Sequence, residues 1–325
     1  MAIAPATLDV RKRNKEAVPR LRRSRRPGPL YVLGRPTHTN LALAEAFAEL
    51  GQRPQLGDPA CPPRVGPGDV VLARLDVLPS LEGIDRGLWD LPRLRRAGAQ
   101  LLNGPLALVA AHDKLTTALF LGAAGVAHPA TAHVRGVKVP SFGPPYVVKP
   151  RFGSWGREVH LCHDEGELVR RLGELSHERW FRRHGALVQA LIEPTGWDLR
   201  IVVSAGRVVG AIERRAAPGE WRTNVALGAE RHRTVPSPEE KAIALGAAAA
   251  IGIDLAGVDI VRDSSGRCHV IEINGAVDFT PAYGDAVFVG AAEGLLELAE
   301  NRARPSSPGH LDGAGLRALE IARRS

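Results

Sequence analysis

Between Asp259 and Asn274 the chain reads Asp-Ile-Val-Arg-Asp-Ser-Ser-Gly-Arg-Cys-His-Val-Ile-Glu-Ile-Asn, an acid in one apolar run and a Glu-x-Asn pair in the next. Alternation along a strand puts Glu272 and Asn274 on one face and sends Ile271 and Ile273 to the other, into a core. The intervening Asp263-Ser-Ser-Gly266 consists of turn residues, so the two strands should be antiparallel neighbours with Asp259 facing the pair. Two carboxylates and an amide oxygen suit a hard cation such as Mg²⁺, which completes its shell with water and phosphate oxygens. A solvated polar sheet face carries the same alternation, so the metal reading needs support from elsewhere in the chain.

That support comes from Tyr146-Val-Val-Lys-Pro-Arg-Phe-Gly-Ser-Trp-Gly-Arg-Glu-Val-His-Leu161. Only six residues of the chain are lysine, so Lys149 at the end of an apolar strand is not there for bulk charge. It offers a compact point charge to phosphate oxygens. Gly153, Ser154 and Gly156 follow in a short loop whose backbone N–H groups could close over phosphates. Taken alone, the same loop also reads as a tight hairpin. It lacks Gly-Lys-Ser/Thr and runs into another strand-like stretch, Glu158–Leu161, which excludes a Walker A loop.

A third signal is the run Asp198–Arg215, two strand-like segments about a Ser204-Ala-Gly206 turn, followed by Gly219-Glu-Trp-Arg-Thr-Asn224. Arg214, Arg215 and Arg222 could hold a triphosphate and the charge that develops as its terminal phosphoryl group moves. Asn224 could contact metal or phosphate from the same loop. An edge hairpin with a solvated arginine rim would look the same in isolation.

In order along the chain, Lys114, Lys149, the Gly153–Gly156 loop, Val188-Gln189, Asp198-Leu-Arg200, Glu213-Arg-Arg-Ala216, Arg222-Thr-Asn224, Gly257-Val-Asp259 and Glu272-Ile-Asn274 resemble the motifs of ATP-grasp ligases. The pattern is most similar to the RimK-type α-L-glutamate ligases and extends from about Asn103 to about Gly290. The resemblance implies an α/β (α+β) fold in which two antiparallel sheets clamp ATP, preceded by a small α/β pre-ATP-grasp domain. It implies two magnesium ions, with manganese as a substitute, and a carboxylate activated as an acyl phosphate that an amine attacks. By the same resemblance Lys114 and Lys149 hold phosphates, and the backbone at Gln189 and Ala190 reads the adenine edge. Asp198 sits by the nucleotide, and Arg222, Thr223 and Asn224 line its phosphate side. Asp259, Glu272 and Asn274 ligate the metals, and Arg215 and Arg222 serve the transfer, Arg215 by steadying the acyl phosphate. The partners implied are an amino-acid donor and a carboxylate or peptide acceptor. Three segments depart from the family pattern: Ala190-Leu191, Val225–Ala229, and Gly275–Tyr283 in place of a Ser-Pro-Gly turn. The last two should border the acceptor site. A nucleotide-binding regulatory protein that keeps the fold without ligation is the rival reading.

Residue types agree with that chemistry. Phosphoryl transfer is catalysed mainly by positioning and charge, which a site of Lys, Arg and metal ligands supplies without a covalent nucleophile. Cys61, Cys162 and Cys268 form no Cys-x-x-Cys pair, and buried or strand thiols are expected. His160, Cys162 and His163 cluster in sequence, but a strand would put His163 opposite the other two.

The 325 residues, 44% hydrophobic, suffice for two or three packed subdomains. There is no membrane-length apolar run and no secretory h-region, and three scattered cysteines suit a reducing cytoplasm. Of the net charge of +8, seven units belong to residues 1–26, where nine basic residues meet two acids. Basicity therefore marks a tail and not the body, and nucleic-acid binding would rest on that tail alone. The expected division is a disordered basic tail (1–28), a pre-ATP-grasp domain (29–104), a central and lid subdomain (105–185), a C-terminal subdomain with the metal site (186–302) and a weakly structured tail (303–325). Helices are expected over Asn40–Leu50, His112–Gly125, Glu165–Leu175, from the capping box at Ser237-Pro-Glu-Glu240 to about Ile251, and over Ala286–Asn301. Arg74 and Asn103, near strand ends, are candidates for substrate contact or simple caps. The sequence leaves a homo-oligomer open.

Overall fold

The computed structural model describes residues 28–303 apart from Pro194, so the expectations for the two tails lie outside the described residues. The chain first builds β1 (Leu30–Gly34), α1 (His38–Glu49), β2 (Gln55–Gly57), β3 (Val70–Arg74), α2 (Leu91–Arg96) and β4 (Gln100–Leu102). The four strands pair in parallel in the order β2-β1-β3-β4. Every residue of β1 and β3 is buried, the continuous apolar reading of a sheet covered on both faces. Leu30, Val32, Val70 and Leu72 pack with Phe47 of α1 on one side, while Tyr31, Leu33, Val71 and Ala73 pack with Leu91 and Leu94 of α2 on the other.

Two short helices follow, α3 (Pro105–His112) and α4 (Lys114–Ala123). The expected single helix from His112 is interrupted at Asp113, which ends α3 and whose carboxylate caps α4 by accepting the Leu115 N–H at 3.2 Å. Lys114 is therefore the first residue of a helix, held at a sharp corner.

Next come β5 (Thr131–Val134), β6 (Tyr146–Pro150), β7 (His160–Cys162), α5 (Glu165–Leu175), α6 (Arg179–His184) and β8 (Ala186–Ala190). The strands form an antiparallel sheet in the order β5-β8-β6-β7. Because β8 pairs between β5 and β6, the lid extends to Ala190 and the expected boundary at 185 falls inside it. Tyr146, Val148 and Val188 face α5 and α6, which leaves Val147, Lys149 and Gln189 on the opposite face.

The last unit contains β9 (Trp197–Ser204), β10 (Arg207–Arg215), β11 (Glu230–Arg233), α7 (Pro238–Ile251), β12 (Leu255–Arg262), β13 (Cys268–Asn274) and α8 (Val287–Ala303). Its strands run antiparallel in the order β11-β10-β9-β12-β13. The capping box opens α7, whose Ala244, Ala247 and Ala248 pack on Leu199, Ile201, Val258 and Ile273 together with α3. Phe279, Val287 and Leu295 reach across to Val32 and Phe47, so α8 and the segment after β13 join the first sheet to the third. Cys162 and Cys268 are buried in strands as expected, whereas Cys61 is exposed. Among the described residues no single helix is long and apolar enough to cross a membrane.

Arg74 and Asn103 turn out to be structural ties. Arg74 is buried and donates to Asn40 Oδ1 at 2.9 Å and Val277 O at 2.5 Å, and Asn103 Nδ2 donates to Leu255 O at 2.9 Å and Gly275 O at 3.2 Å. The turn they pin lies against Gly257, where a Cβ would come within 2.4 Å of Val277 Cγ2.

Candidate active site

The lid sheet and the third sheet face each other across a cleft of about 1020 Å³, open mouth included. The lid contributes Lys149 and Gln189 from alternate positions of β6 and β8, and the facing sheet contributes Asp198, Arg214, Asp259 and Glu272. Between them lie Gly153, Ser154 and Gly156 on one loop and Arg222, Thr223 and Asn224 on another. Gly156 has φ +69°, and a Cβ there would lie 2.6 Å from Asn224 Oδ1, so a side chain at this position would be strained and would displace Asn224.

Lys114 Nζ lies 3.0 Å from Glu272 Oε1 and donates to Gly153 O, which links helix, metal-ligand candidate and loop. Among the described residues Lys149 has no carboxylate at bonding distance and reaches only Ile271 O, at 3.4 Å. Burial, then the neighbouring Lys114 charge, push its ammonium down to about 8, against the pull of Glu272 and Asp259. A buried cation in that condition is stabilised by an incoming polyanion.

Asp259 sits opposite Glu272 in the β12–β13 ladder, as the alternation required, but it does not stand free. Arg200 Nε and Nη2 donate to its two oxygens at 2.6 Å each, and Arg214 Nη2 donates to Oδ2 at 2.9 Å. Arg214 also forks onto Asp198, which accepts the Thr223 hydroxyl at 2.6 Å. Burial alone would raise the Asp259 carboxyl, but the two guanidinium groups outweigh it and hold it well below the usual carboxylate range. These arginines were not foreseen as partners of a metal-ligand candidate. Arg200 could have been paired with Asp259 from sequence, since the antiparallel register sets them side by side.

Two bulges alter the faces expected from simple alternation. In β13 the register shifts between Asp259 and Ile260, so Ile271 lines the cleft beside Glu272 instead of joining Ile273 in the core. In β10 it shifts between Val208 and Gly210, which puts Arg214 opposite Asp198. An unbulged hairpin would have turned Glu213 and Arg215 to that face. The role expected of Arg215 is corrected accordingly: its side chain is exposed, bonded to Glu213 at 2.6 Å and outside the cleft, and Arg214 occupies the cleft face. Arg222 does line the cleft, steadied by Glu220 at 2.8 Å and by Gly156 O at 3.2 Å.

The donor set fits a hard cation. A carboxylate has about four acceptor sites, and Asp259 uses three on arginines, which leaves one on Oδ1. Glu272 opens into the cleft, and Asn274, which lines the space just beside it, has a buried amide nitrogen with no hydrogen-bond partner among the described residues, a group that a flip of the amide would exchange for its oxygen. Among the described residues no three His, Cys, Asp or Glu side chains converge, so a cation here would complete its shell with phosphate and water. At the β8 end of the cleft, where the adenine edge was expected, Ala190 N–H and Leu191 N–H are already spent on Ala130 O and Pro145 O, at 2.9 and 3.0 Å, and Gln189 Nε2 on Thr131. An adenine placed there would have to be read by carbonyls or by residues beyond Leu191.

A model of the RimK-like ATP-grasp domain matches residues 112–287, the stretch that carries all of these groups. The chain belongs to the RimK-like ATP-grasp family. It is 30% identical over 270 residues to the tetrahydromethanopterin:α-L-glutamate ligase of Methanosarcina acetivorans, a match covering 72% of this chain and 82% of that protein. A RimK domain ATP-grasp protein from Sphaerobacter thermophilus superposes with TM-score 0.63 at 20% identity, over 83% of this chain and 99% of the other. The ATP-grasp ligase PsnB, solved with minimal precursor, Mg and ADP, gives 0.60 at 18%, over 84% and 98%. These likenesses bear out the expected α/β ATP-grasp fold with its antiparallel sheets.

For this RimK-like chain the depressed Lys149 ammonium sets a pH dependence. A lysine held at about 8 when folded and near 10.4 when unfolded binds fewer protons in the fold between those values, so stability without nucleotide rises with pH across that window. A phosphate-holding role for Lys149 would need the charged form. ATP affinity, measured by calorimetry in buffers of different ionisation enthalpy, should fall above pH 8 and be accompanied by proton uptake, and Lys149→Gln should remove both effects.

Proposed function

We propose that the protein is an ATP- and Mg²⁺-dependent carboxylate–amine ligase that joins glutamate or a similar amino acid to a protein, peptide or small-molecule carboxylate. The observation that carries this reading is the convergence of Lys114, Lys149, Arg214 and Arg222 with Glu272 and Asp259 on one cleft. A non-catalytic nucleotide sensor needs only affinity. It gains nothing from a surplus of cations gathered where phosphoryl charge develops.

Lys149 and Lys114 hold the phosphates, and the Gly153–Gly156 loop closes over them. Arg214, aligned by Asp198, faces the transferring group. A carboxylate oxygen attacks the terminal phosphorus, the bond to ADP breaks, and ADP leaves with the electron pair. The amine then attacks the carbonyl carbon, the C–N bond forms as phosphate departs, and the nitrogen releases its proton. Magnesium, held by Glu272, Asn274 and the remaining site on Asp259, would neutralise phosphate charge. Dependence on ATP and the free buried thiols Cys162 and Cys268 suit the cytoplasm.

The test is release of phosphate from ATP on addition of a panel of amino acids that includes L-glutamate. Arg214→Lys keeps the charge but loses the planar fork, and turnover should fall about 10²-fold. Arg215→Ala should stay within about threefold, because only exposed contacts are lost. Equal losses in the two variants, or release by neither variant nor wild type, would contradict the assignment.

A further inference from the structure

A second cavity adjoins the nucleotide cleft, sharing Ser154, Arg214, Asn224 and Glu272 with it. Its outer wall includes Asp76, which follows β3 and lies outside the family-matched residues, and Asp278, in the segment that departs from the family pattern. Both carboxylates are half-buried. Asp76 accepts the Val77 N–H at 2.7 Å, and among the described residues neither acid has a cationic side chain within salt-bridge reach. Arg35 and Arg74 lie near enough to act on them by charge but make their bonds elsewhere. Arg35 is taken by Asp85 at 2.7 Å, and Arg74 spends its donors on Asn40 and on the carbonyls of Gly275 and Val277. Arg74 thereby fixes the backbone on which Asp278 sits without pairing with it.

The opposite character appears across the cavity. Arg231 of β11 lines it, exposed and without a carboxylate partner among the described residues, beside the mostly buried Tyr283. Burial pushes the Asp76 carboxyl up and the Asp85 and Asp278 charges push it further, against the Val77 N–H and the Arg35 charge, which pull it down. A cation with several N–H donors would relieve this repulsion, and an anion would do the same for Arg231.

We propose that this cavity holds the amine substrate as a zwitterionic amino acid, its ammonium between Asp76 and Asp278 and its carboxylate toward Arg231. The inference rests on the ligase reading of the adjoining cleft, since the shared residues put the amine next to the group being activated. It specifies the nucleophile by both of its charges and assigns recognition partly to the N-terminal domain.

Thermal unfolding of the full chain with Mg-ADP, titrated with each proteinogenic amino acid and with its N-acetyl form, tests this directly, because a ligand that binds only the fold raises the midpoint. At least one amino acid should add to the Mg-ADP shift, and its N-acetyl form should not. Asp278→Asn and Asp76→Asn should each weaken that amino acid at least about tenfold, as expected for lost charge-assisted hydrogen bonds, while keeping the full Mg-ADP shift. Asp278→Glu should recover part of the affinity, and Arg231→Gln should weaken the amino acid but not the matching primary amine without the carboxylate. An N-acetyl form that binds as well, an amino-acid shift that survives both Asp→Asn changes, or no amino-acid shift beside a clear Mg-ADP shift would each overturn the proposal. Absence of any Mg-ADP shift would instead remove the nucleotide-cleft reading on which it depends.

Discussion

Glu272→Ala should lower ATP-dependent phosphate release at least 10³-fold, about 4 kcal/mol of transition-state stabilisation. Glu272 lines both cavities, and on the proposed reading it stands where phosphate, cation and acceptor would meet. Its carboxylate also anchors Lys114 at 3.0 Å, and truncation removes the one carboxylate contact that ammonium has among the described residues. Glu272→Gln separates the two effects. The amide keeps the shape and can still accept from Lys114, but it is a poor ligand for a hard cation, so the magnesium concentration for half-maximal turnover should rise while the unfolding midpoint changes little. The measurement is phosphate release against magnesium at saturating ATP for wild type and both variants. Turnover of Glu272→Ala within tenfold of wild type would show that the cation is held elsewhere.

How far the site was legible in the sequence depends on which side of a strand each residue occupies. The Asp259–Glu272 pairing, the Lys149 strand end, the Ser204–Gly206 reversal and the Ser237 cap all follow from local rules, alternation and turn chemistry, and the structure repeats them. What failed was alternation across a bulge. One extra residue near Val209 exchanges the faces of Arg214 and Arg215, and one at Ile271 brings an isoleucine into the cleft. The first bulge does carry a sequence signal, the isolated Gly210 inside a strand run, whereas the residues about Ile271 carry none. Gly210 also lies close against Tyr283 and Val287, with a Cβ there meeting Tyr283 O at 2.8 Å. The lid boundary failed because β8 joins its sheet through long-range pairing. The acids Asp76 and Asp278 are separated by most of the chain and carry no motif. Only the fold puts them on one wall.

The arginine pair on Asp259 makes this residue as consequential for folding as for chemistry. Arg214 is buried and Arg200 mostly so against it, and Arg214 has a second carboxylate in Asp198 while Arg200 has no other carboxylate at bonding distance among the described residues. Asp259→Ala would strand the Arg200 guanidinium in the sheet and remove the screen between two arginines. Breaking a buried pair in this way costs about 3–5 kcal/mol, which for a chain of this size lowers the unfolding midpoint by roughly 4–7 °C. Asp259→Asn should lose less, because the amide fills the same space and still accepts one hydrogen bond. The sign of the pH effect follows from the depressed carboxyl. Its contribution is fully present above the unfolded value near 4 and disappears as pH falls through the lower folded value, so wild type and Asp259→Asn should converge in stability only in strong acid. Urea unfolding at neutral and acid pH measures that convergence, and the double variant Arg200→Gln/Asp259→Asn should recover much of the neutral-pH loss without recovering turnover, since no charge is then left unpaired. If Asp259→Asn kept the wild-type midpoint at neutral pH yet released no phosphate, the arginines would be bystanders and the carboxylate would serve the cation alone.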